Sequence, residues 1–219
     1  MTSDPLFSGP DLCKFEAHEI VALLRAKEVS SAELIDAALT RIAQTGPLIN
    51  ATPTLCEARA RAVDLSNHDS TQAGWLAGLP ITIKDLNAVS GVRTTFGTKG
   101  LADFIPQKSD PLVDQLEQRG AVILGKTNTP EFGAGGNTFN DVFGQTRNPW
   151  NTALNPGGSS GGAAASLAAG EIWLSHGSDH GGSLRTPAAY CGIVGLRPSP
   201  GIAGGPGQDA AFIIEGVQG

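Results

Sequence analysis

Residues 155–170 read NPGGSSGGAAASLAAG, a glycine and serine cluster followed by an alanine-rich run. The glycines from Gly157 to Gly162 favour a tight turn, and Gly161 to Ala169 predicts a helix directly behind it. A flexible linker would separate two structured segments, whereas this cluster leads straight into a helix. We therefore predict an ordered turn that holds its serines in place for a structural or chemical role.

Two well-known glycine-rich signatures do not fit this cluster. A phosphate-binding loop needs a preceding buried strand and a lysine after its last glycine. The preceding residues 148–156, NPWNTALNP, are no such strand, and no lysine follows Gly162. GGSSG formally matches the Gly-x-Ser-x-Gly nucleophile elbow, but the strand that must precede an elbow is missing. The cluster alone leaves the roles of Ser159 and Ser160 open.

A second glycine and serine cluster, GSDHGGSLRTPAAYCG, spans residues 177–192. Gly181 and Gly182 let the backbone approach a ligand closely, and Ser183 lies just before a short predicted helix. Successive N–H groups in such a turn can converge on an anion, and a serine among them is well placed to attack a carbonyl. Ser183 is therefore a candidate nucleophile that needs a base.

Two residues are candidates for that base. His180 is near in sequence, but it lies three residues before Ser183, and we interpret it as a loop residue. Lys84 ends the strand pattern GLPITIKD of residues 78–85, where burial would favour its neutral form. An isolated lysine at a strand end more commonly faces water, so the pattern alone does not decide.

His176 and His180 have helical metal-ligand spacing, but the intervening turn argues against a helix and no further ligands complete a zinc site.

The remaining pattern predicts helices first and then strands alternating with helices, which is typical of an α/β fold with a mixed sheet surrounded by helices. We expect a helical segment over about residues 1–70 and an α/β core over about 71–219. The predicted helices are Ala17–Lys27, a helix from the capping box Ser30-Ser31-Ala32-Glu33 to Gly46-Pro47, Glu57–Asn67, Asp110–Gly120 and Gly161–Ala169. The predicted strands are Gly78–Asp85, Ala121–Gly125, Glu171–His176, Gly192–Leu196 and Ala211–Glu215.

The composition limits the possible partners. Among 219 residues, 15 are basic and 21 acidic, giving a net charge of −6 without a dense basic cluster. Nucleic acid and anionic membranes are therefore unfavoured. The three cysteines are odd in number and widely spaced, which fits a reducing compartment. No signal peptide and no membrane span is evident, so we expect a cytoplasmic protein.

Four blocks together resemble the amidase signature family. They are GLPITIKD (78–85), KTNTPEFG (126–133), NPGGSSGGAAASLAAG (155–170) and SDHGGSLRTPAAYCGIVGLRPS (178–199), in the order that the family has them. The resemblance implies the amidase signature fold and a Ser–cis-Ser–Lys triad. In this triad Ser183 is the nucleophile, Ser159 is the bridging serine with a cis peptide bond, and Lys84 is the base.

The resemblance also implies supporting residues. The backbone N–H groups of His180, Gly181 and Gly182, with that of Ser183, would bind the oxyanion. Ser160, Asp179 and Arg185 are supporting candidates, for which bracing of the loops by hydrogen bonds is an equally good interpretation.

The implied activity is hydrolysis of a carboxylic amide to the acid plus ammonia or an amine, through an acyl-enzyme and without metal or cofactor. Two alternatives stay open: an inactive or complementation-dependent fragment, and a protein like the A subunit of glutamyl-tRNA(Gln) amidotransferase. The expected partner is a small-molecule amide, with no membrane, and with nucleic acid only in the amidotransferase alternative. A homodimer and a complementing C-terminal half are further alternatives.

Two departures from the family bear on these expectations. Thr186 stands where the amidotransferase protein commonly has glutamine, which disfavours that assignment. The resemblance ends at Gly219 within the family's domain, so we expect a truncated chain, the N-terminal portion of a single amidase domain.

Overall fold

The computed structural model describes residues 9–199, 202–203 and 217–218. The predicted strand Ala211–Glu215 lies outside these residues. The helices are α1 (Ala17–Ala26), α2 (Ser31–Ile49), α3 (Glu57–Arg61), α4 (Pro111–Gln118), α5 (Gly161–Ala168) and α6 (Arg185–Cys191), with 3-10 turns at Asp11–Lys14, Lys99–Leu101 and Glu131–Gly133. The strands are β1 (Thr54–Leu55), β2 (Pro80–Lys84), β3 (Val122–Thr127), β4 (Phe139–Asn140), β5 (Gly144–Gln145), β6 (Ser178–Asp179) and β7 (Val217–Gln218).

The main sheet has the strand order β1-β3-β2. β2 runs parallel to β3, with Lys84 opposite Thr127, whereas β1 is antiparallel to β3. Every residue of β2 and β3 is buried, because helices cover both faces of these strands. The predicted α/β fold with a mixed sheet is therefore confirmed. β4 pairs with β5, and β6 pairs with β7, in two smaller antiparallel sheets.

The N-terminal helices pack on this sheet through their apolar sides. Ile20 of α1 and Leu34 of α2 join the cluster that contains Ile81 and Ile83 of β2. A second cluster places Ile35 of α2 beside residues of β3. These contacts pack the helices against the strands that end at Lys84 and Thr127. No described helix is both long and apolar enough to cross a membrane.

The helix ends depart from the prediction in two places. Gly46-Pro47 does not end α2, which continues through Pro47 to Ile49. Thr45 and Ile49 are buried one turn apart, so packing extends the helix although Pro47 cannot donate a hydrogen bond. α3 stops at Arg61, six residues before the predicted Asn67. Asp64 accepts a hydrogen bond from the Ser66 N–H, and this local turn competes with the helix.

Two predicted strands are also wrong in extent. Glu171–His176 forms only an isolated parallel bridge, in which Ser175 lies beside Thr82 of β2. Gly192–Leu196 is irregular: Gly192 ends α6 in the left-handed conformation. Val194 is 93% exposed, so its apolar pattern does not mark a buried strand. Glu171–His176 bonds to β2 only around Thr82, through the Thr82 N–H to Leu174 and the His176 N–H to Thr82, so the bridge does not extend into a ladder among the described residues.

Candidate active site

Lys84 lies at the carboxyl end of β2, the edge of a parallel sheet at which α/β proteins usually form their sites. Its side chain is fully buried. The Lys84 Nζ lies 2.7 Å from Ser159 Oγ, 2.9 Å from Ser160 Oγ and 3.0 Å from Ser178 Oγ. The fold thus brings together two predicted site residues, Lys84 and Ser159, that are 75 positions apart in the sequence.

Burial changes the protonation of this lysine. Loss of hydration lowers the pKa of Lys84 from its usual 10.5 to about 7, and the negative charge of Asp179 opposes part of this effect. A substantial fraction of the Lys84 side chain is therefore a neutral amine at neutral pH. A neutral amine next to a hydroxyl can accept its proton, which a charged lysine cannot do.

The glycine turn before α5 places Ser159 against Lys84. The Gly158–Ser159 peptide bond is cis, as the family resemblance implies. A Cβ added to Gly158 would lie 2.9 Å from the backbone of Asn137 and Gly135, so only glycine fits between these segments. The N–H of Ser160 donates to the carbonyl of Ser183 at 3.1 Å. This bond ties the first serine cluster directly to the second.

The loop that carries Ser183 is organised by Asp179. The buried Asp179 carboxylate accepts hydrogen bonds from the N–H groups of Gly182 at 2.8 Å and Leu184 at 3.1 Å. Arg185 adds two bonds from its guanidinium, at 2.9 and 3.0 Å. Burial alone would raise the pKa of Asp179, but these donors together lower it well below its usual value. Asp179 and Arg185, predicted as supporting residues, thus brace this loop.

The backbone donors predicted for an oxyanion differ in availability. The Gly182 N–H is engaged by Asp179, so it is not free to bind a ligand in this geometry. The N–H groups of Gly181 and Ser183 have no hydrogen-bond acceptor among the described residues. His180 is exposed at the tip of the loop and is not among the residues that contact Lys84. The described residues contain no cluster of three or more potential metal ligands.

The sequence patterns missed Ser178 and a second buried lysine. Ser178 immediately precedes Asp179, but nothing in its local pattern marks it as a neighbour of Lys84. Lys126 of β3 donates to Asp85 at 3.0 Å, to the Asn87 carbonyl at 2.8 Å and to Thr94 at 2.9 Å. Because Asp85 directly follows Lys84, this network fixes the end of β2. The apolar run that precedes the KT pair in β3 was the only signal that Lys126 is buried.

A cavity of about 450 Å³ adjoins the glycine turn. Its lining includes Gly135, Gly136 and Asn137, the segment that packs against Gly158. No residue of the serine cluster lines this cavity, which reaches the cluster only through that packing segment.

Comparison with known proteins agrees with this geometry. Residues 33–210 match the family model described as Amidase. The A subunit of glutamyl-tRNA(Gln) amidotransferase from Synechococcus sp. (strain CC9605) is 47% identical over 182 residues, which are 81% of this chain and 37% of that protein. The buried lysine and serine cluster thus belongs to a protein of the amidase class.

Solved structures extend the likeness to three dimensions. A bacterial aryl acylamidase of the amidase signature family has a TM-score of 0.84 at 34% identity, over 94% of this chain and 44% of that one. The A subunit of the Thermotoga maritima glutamyl-tRNA(Gln) amidotransferase has a TM-score of 0.75 at 33% identity, over 86% of this chain and 39% of that one. The chain belongs to the amidase signature family. It spans 37–40% of the length of the curated relatives that it matches.

Proposed function

We propose that this chain carries the Ser–cis-Ser–Lys machinery of an amide hydrolase, with Lys84 as base, Ser159 as proton bridge and Ser183 as nucleophile. The observation that carries the proposal is the buried Lys84 amine, 2.7 Å from Ser159 Oγ, with a pKa lowered to about 7. A lysine held in this way is suited to remove a proton near neutral pH.

The proposed reaction has two stages. In the first, Ser183 Oγ attacks the amide carbonyl while its proton passes to Ser159 and the Ser159 proton passes to Lys84. The relay then returns a proton to the leaving nitrogen as the C–N bond breaks, giving an acyl-enzyme. In the second stage water attacks the ester and its proton passes through Ser159 to Lys84. The relay then returns a proton to Ser183 Oγ as its bond to the acyl carbon breaks, which releases the acid and restores the serine. The N–H groups of Gly181 and Ser183, which have no acceptor among the described residues, are the donors we assign to the oxyanion.

Two settings are compatible with this chemistry. The identity of 42–47% to the A subunit of glutamyl-tRNA(Gln) amidotransferase favours a protein that releases ammonia from an amide donor and works with further subunits and tRNA. We propose this setting first. Thr186, where that amidotransferase protein commonly has glutamine, supports the second setting, an independent hydrolase of a small amide.

Labelling with a fluorophosphonate probe tests the proposed nucleophile. The folded 219-residue chain is incubated with the probe, and the adduct is located by peptide mass spectrometry. We expect the label on Ser183 and none on the Ser183→Ala variant. An unlabelled Ser183 in protein with a native circular dichroism spectrum would contradict the proposal.

A glutaminase assay separates the two settings. Ammonia release from glutamine that appears only on addition of the other amidotransferase subunits supports the first setting. Hydrolysis of a simple aryl amide by the chain without partners supports the second.

A further inference from the structure

Lys84 has more hydroxyl neighbours than the proposed relay uses. The relay requires Ser159 alone, yet Ser160 and Ser178 also lie within 3.0 Å of the Lys84 Nζ. A neutral amine has two N–H donors and one lone pair, whereas a charged ammonium has three donors and no lone pair. In the neutral form, therefore, two of the three hydroxyls must accept and only one can donate.

The hydroxyl proton of Ser160 is already committed elsewhere. Ser160 Oγ donates to the Ser178 carbonyl at 3.1 Å and accepts from the Ser178 N–H at 3.2 Å. Because a hydroxyl has a single proton, Ser160 can only accept from Lys84. Ser160 is thus a fixed acceptor for one N–H of the neutral amine.

Ser178 is placed to accept the other N–H. Its Oγ lies 3.0 Å from the Lys84 Nζ, compared with 2.7 Å for Ser159. Ser178 is held by two independent contacts, namely its backbone bonds to Ser160 and the pairing of β6 with β7. We propose that Ser160 and Ser178 are positioning residues that occupy both N–H bonds of neutral Lys84 and thereby aim its lone pair at Ser159. This inference rests on the proposed function.

The surrounding charges do not provide this orientation. Asp179 is the charged group that acts on Lys84 among the described residues, and its own carboxylate is turned to Arg185, Arg197 and the backbone of its loop. Asp179 therefore favours the charged form of Lys84 without making a directional contact to it. Among the residues that the structure describes, the three hydroxyls are the groups that bond to the amine and can set its direction.

The variant Ser178→Ala tests this arrangement. The charged lysine would lose a charge-assisted bond, while the neutral amine could turn its lone pair into the space left behind. The rate of fluorophosphonate labelling at Ser183 should rise with pH as Lys84 becomes neutral. In Ser178→Ala we expect the midpoint of this rise to move by about one pH unit to lower pH. The rate at high pH should also fall roughly tenfold, because the lone pair no longer points at Ser159.

Two further variants complete the test. Ser178→Thr keeps the hydroxyl and should restore both the pH midpoint and the maximal rate of labelling. Ser175→Ala is the matched control, because Ser175 lies on the same segment and bonds to Thr82 at 2.7 Å without contacting Lys84. We expect this control to leave the pH midpoint where it is in the parent chain.

A readout that does not need activity separates this inference from the proposed function. Carbon-13 NMR of labelled lysine gives the titration of Lys84 directly, with its signal assigned by Lys84→Met. A midpoint that falls in Ser178→Ala and returns in Ser178→Thr supports the inference even if Ser183 is never labelled. An unchanged midpoint in Ser178→Ala, in a parent chain that is labelled at Ser183, would overturn it.

Discussion

Lys84 is set apart from an ordinary lysine by three hydroxyl contacts and by its complete burial. Its ammonium form could be satisfied by three hydroxyls, but hydroxyls do not neutralise a buried positive charge as a carboxylate would. Lys126 is equally buried and does have such a carboxylate, from Asp85 at 3.0 Å. The two lysines lie on the adjacent strands β2 and β3, one register position apart, since Lys126 is opposite Ile83 and Lys84 is opposite Thr127. Their partners suit Lys84 to proton transfer and Lys126 to a structural role.

Replacement of Lys84 by alanine should remove the base. We expect Lys84→Ala to lower the rate of amide hydrolysis roughly 10²–10⁴-fold. In the parent chain the rate should rise as pH increases through about 7, because the neutral amine is the active form. Rates measured from about pH 5 to about pH 9 check both statements. A parent profile that is flat over this range would contradict the assignment of Lys84 as base.

Asp179→Asn should destabilise the loop that carries Ser183. The asparagine amide would present N–H groups to backbone and guanidinium donors that now face a carboxylate. We therefore expect the free energy of unfolding, measured in urea, to fall by ~2–3 kcal/mol. Because folding lowers the pKa of Asp179, the stability that this carboxylate gives is present above pH 3.8 and is lost as pH falls below it.

Arg185→Gln is the comparison for this prediction. The Arg185 side chain is 57% exposed, so solvent screens its ion pair with Asp179. Arg185→Gln should therefore lower the free energy of unfolding by less than Asp179→Asn does. An equal loss in both variants would mean that the ion pair, and not the backbone donors, organises the loop.

At the scale of elements, α5 is positioned by the glycines with which it begins. Its first two residues, Gly161 and Gly162, are buried against neighbouring segments instead of facing solvent. The helix therefore approaches β3 closely enough to hold Ser159 at the end of β2. Only residues without side chains permit this distance.

Gly162→Ala should disturb this approach. The added Cβ would lie 2.4 Å from Asn128 N, 2.6 Å from Asn128 O and 2.8 Å from Ala51 O, all of them backbone atoms that cannot rotate away. We expect the free energy of unfolding to fall by ~2–3 kcal/mol and labelling of Ser183 to fall with it. Urea denaturation and probe labelling measure the two effects.

Gly100→Ala is the matched control. Gly100 is exposed in the 3-10 turn Lys99–Leu101, and an added Cβ would meet only the Thr98 side chain, at an ordinary contact distance of 3.9 Å. We expect alanine to leave the free energy of unfolding within about 0.5 kcal/mol of the parent value. Destabilisation by both changes would show that packing against Asn128 is not the cause.

At the scale of the whole molecule, Glu171 connects distant segments through a buried carboxyl. It contacts Thr45 of α2 at 2.6 Å and Thr52 at 2.9 Å, over 126 and 119 positions of sequence. Thr45 Oγ1 also lies 2.9 Å from the Arg41 carbonyl, and one hydroxyl proton cannot serve both acceptors. A protonated Glu171 satisfies both contacts, which agrees with the effect of burial in raising the pKa of Glu171.

The stability of the chain should therefore depend on pH through Glu171. Because folding raises the pKa of Glu171 above 4.5, its contribution is fully present below pH 4.5 and is lost as pH rises through the folded value. Glu171→Gln keeps the shape without the titration. In the parent chain the loss of this contribution should lower the melting temperature between about pH 4.5 and about pH 8. We expect Glu171→Gln to show a smaller decrease over the same range. A parallel decrease in both proteins would exclude Glu171 as its source.

Local sequence determined much of this protein. Period and capping signals located α1, α2 and β2. The four motif blocks identified the family and predicted Lys84, Ser159 and Ser183 as site residues. These signals are local or are carried by motifs, so they can be interpreted without knowing which segments meet. They also suggested that Lys84 is buried, but left open whether it faces water.

The tertiary structure decided which groups surround these residues. Lys84 meets Ser159 and Ser178 across 75 and 94 positions, and no periodic pattern encodes such pairs. The bond from the Ser160 N–H to the Ser183 carbonyl, and the continuation of α2 past Pro47, likewise depend on neighbours supplied by the fold. The sequence alone names the groups that can react. Their protonation and direction follow from burial and from long-range contacts, which exist only once the chain is folded.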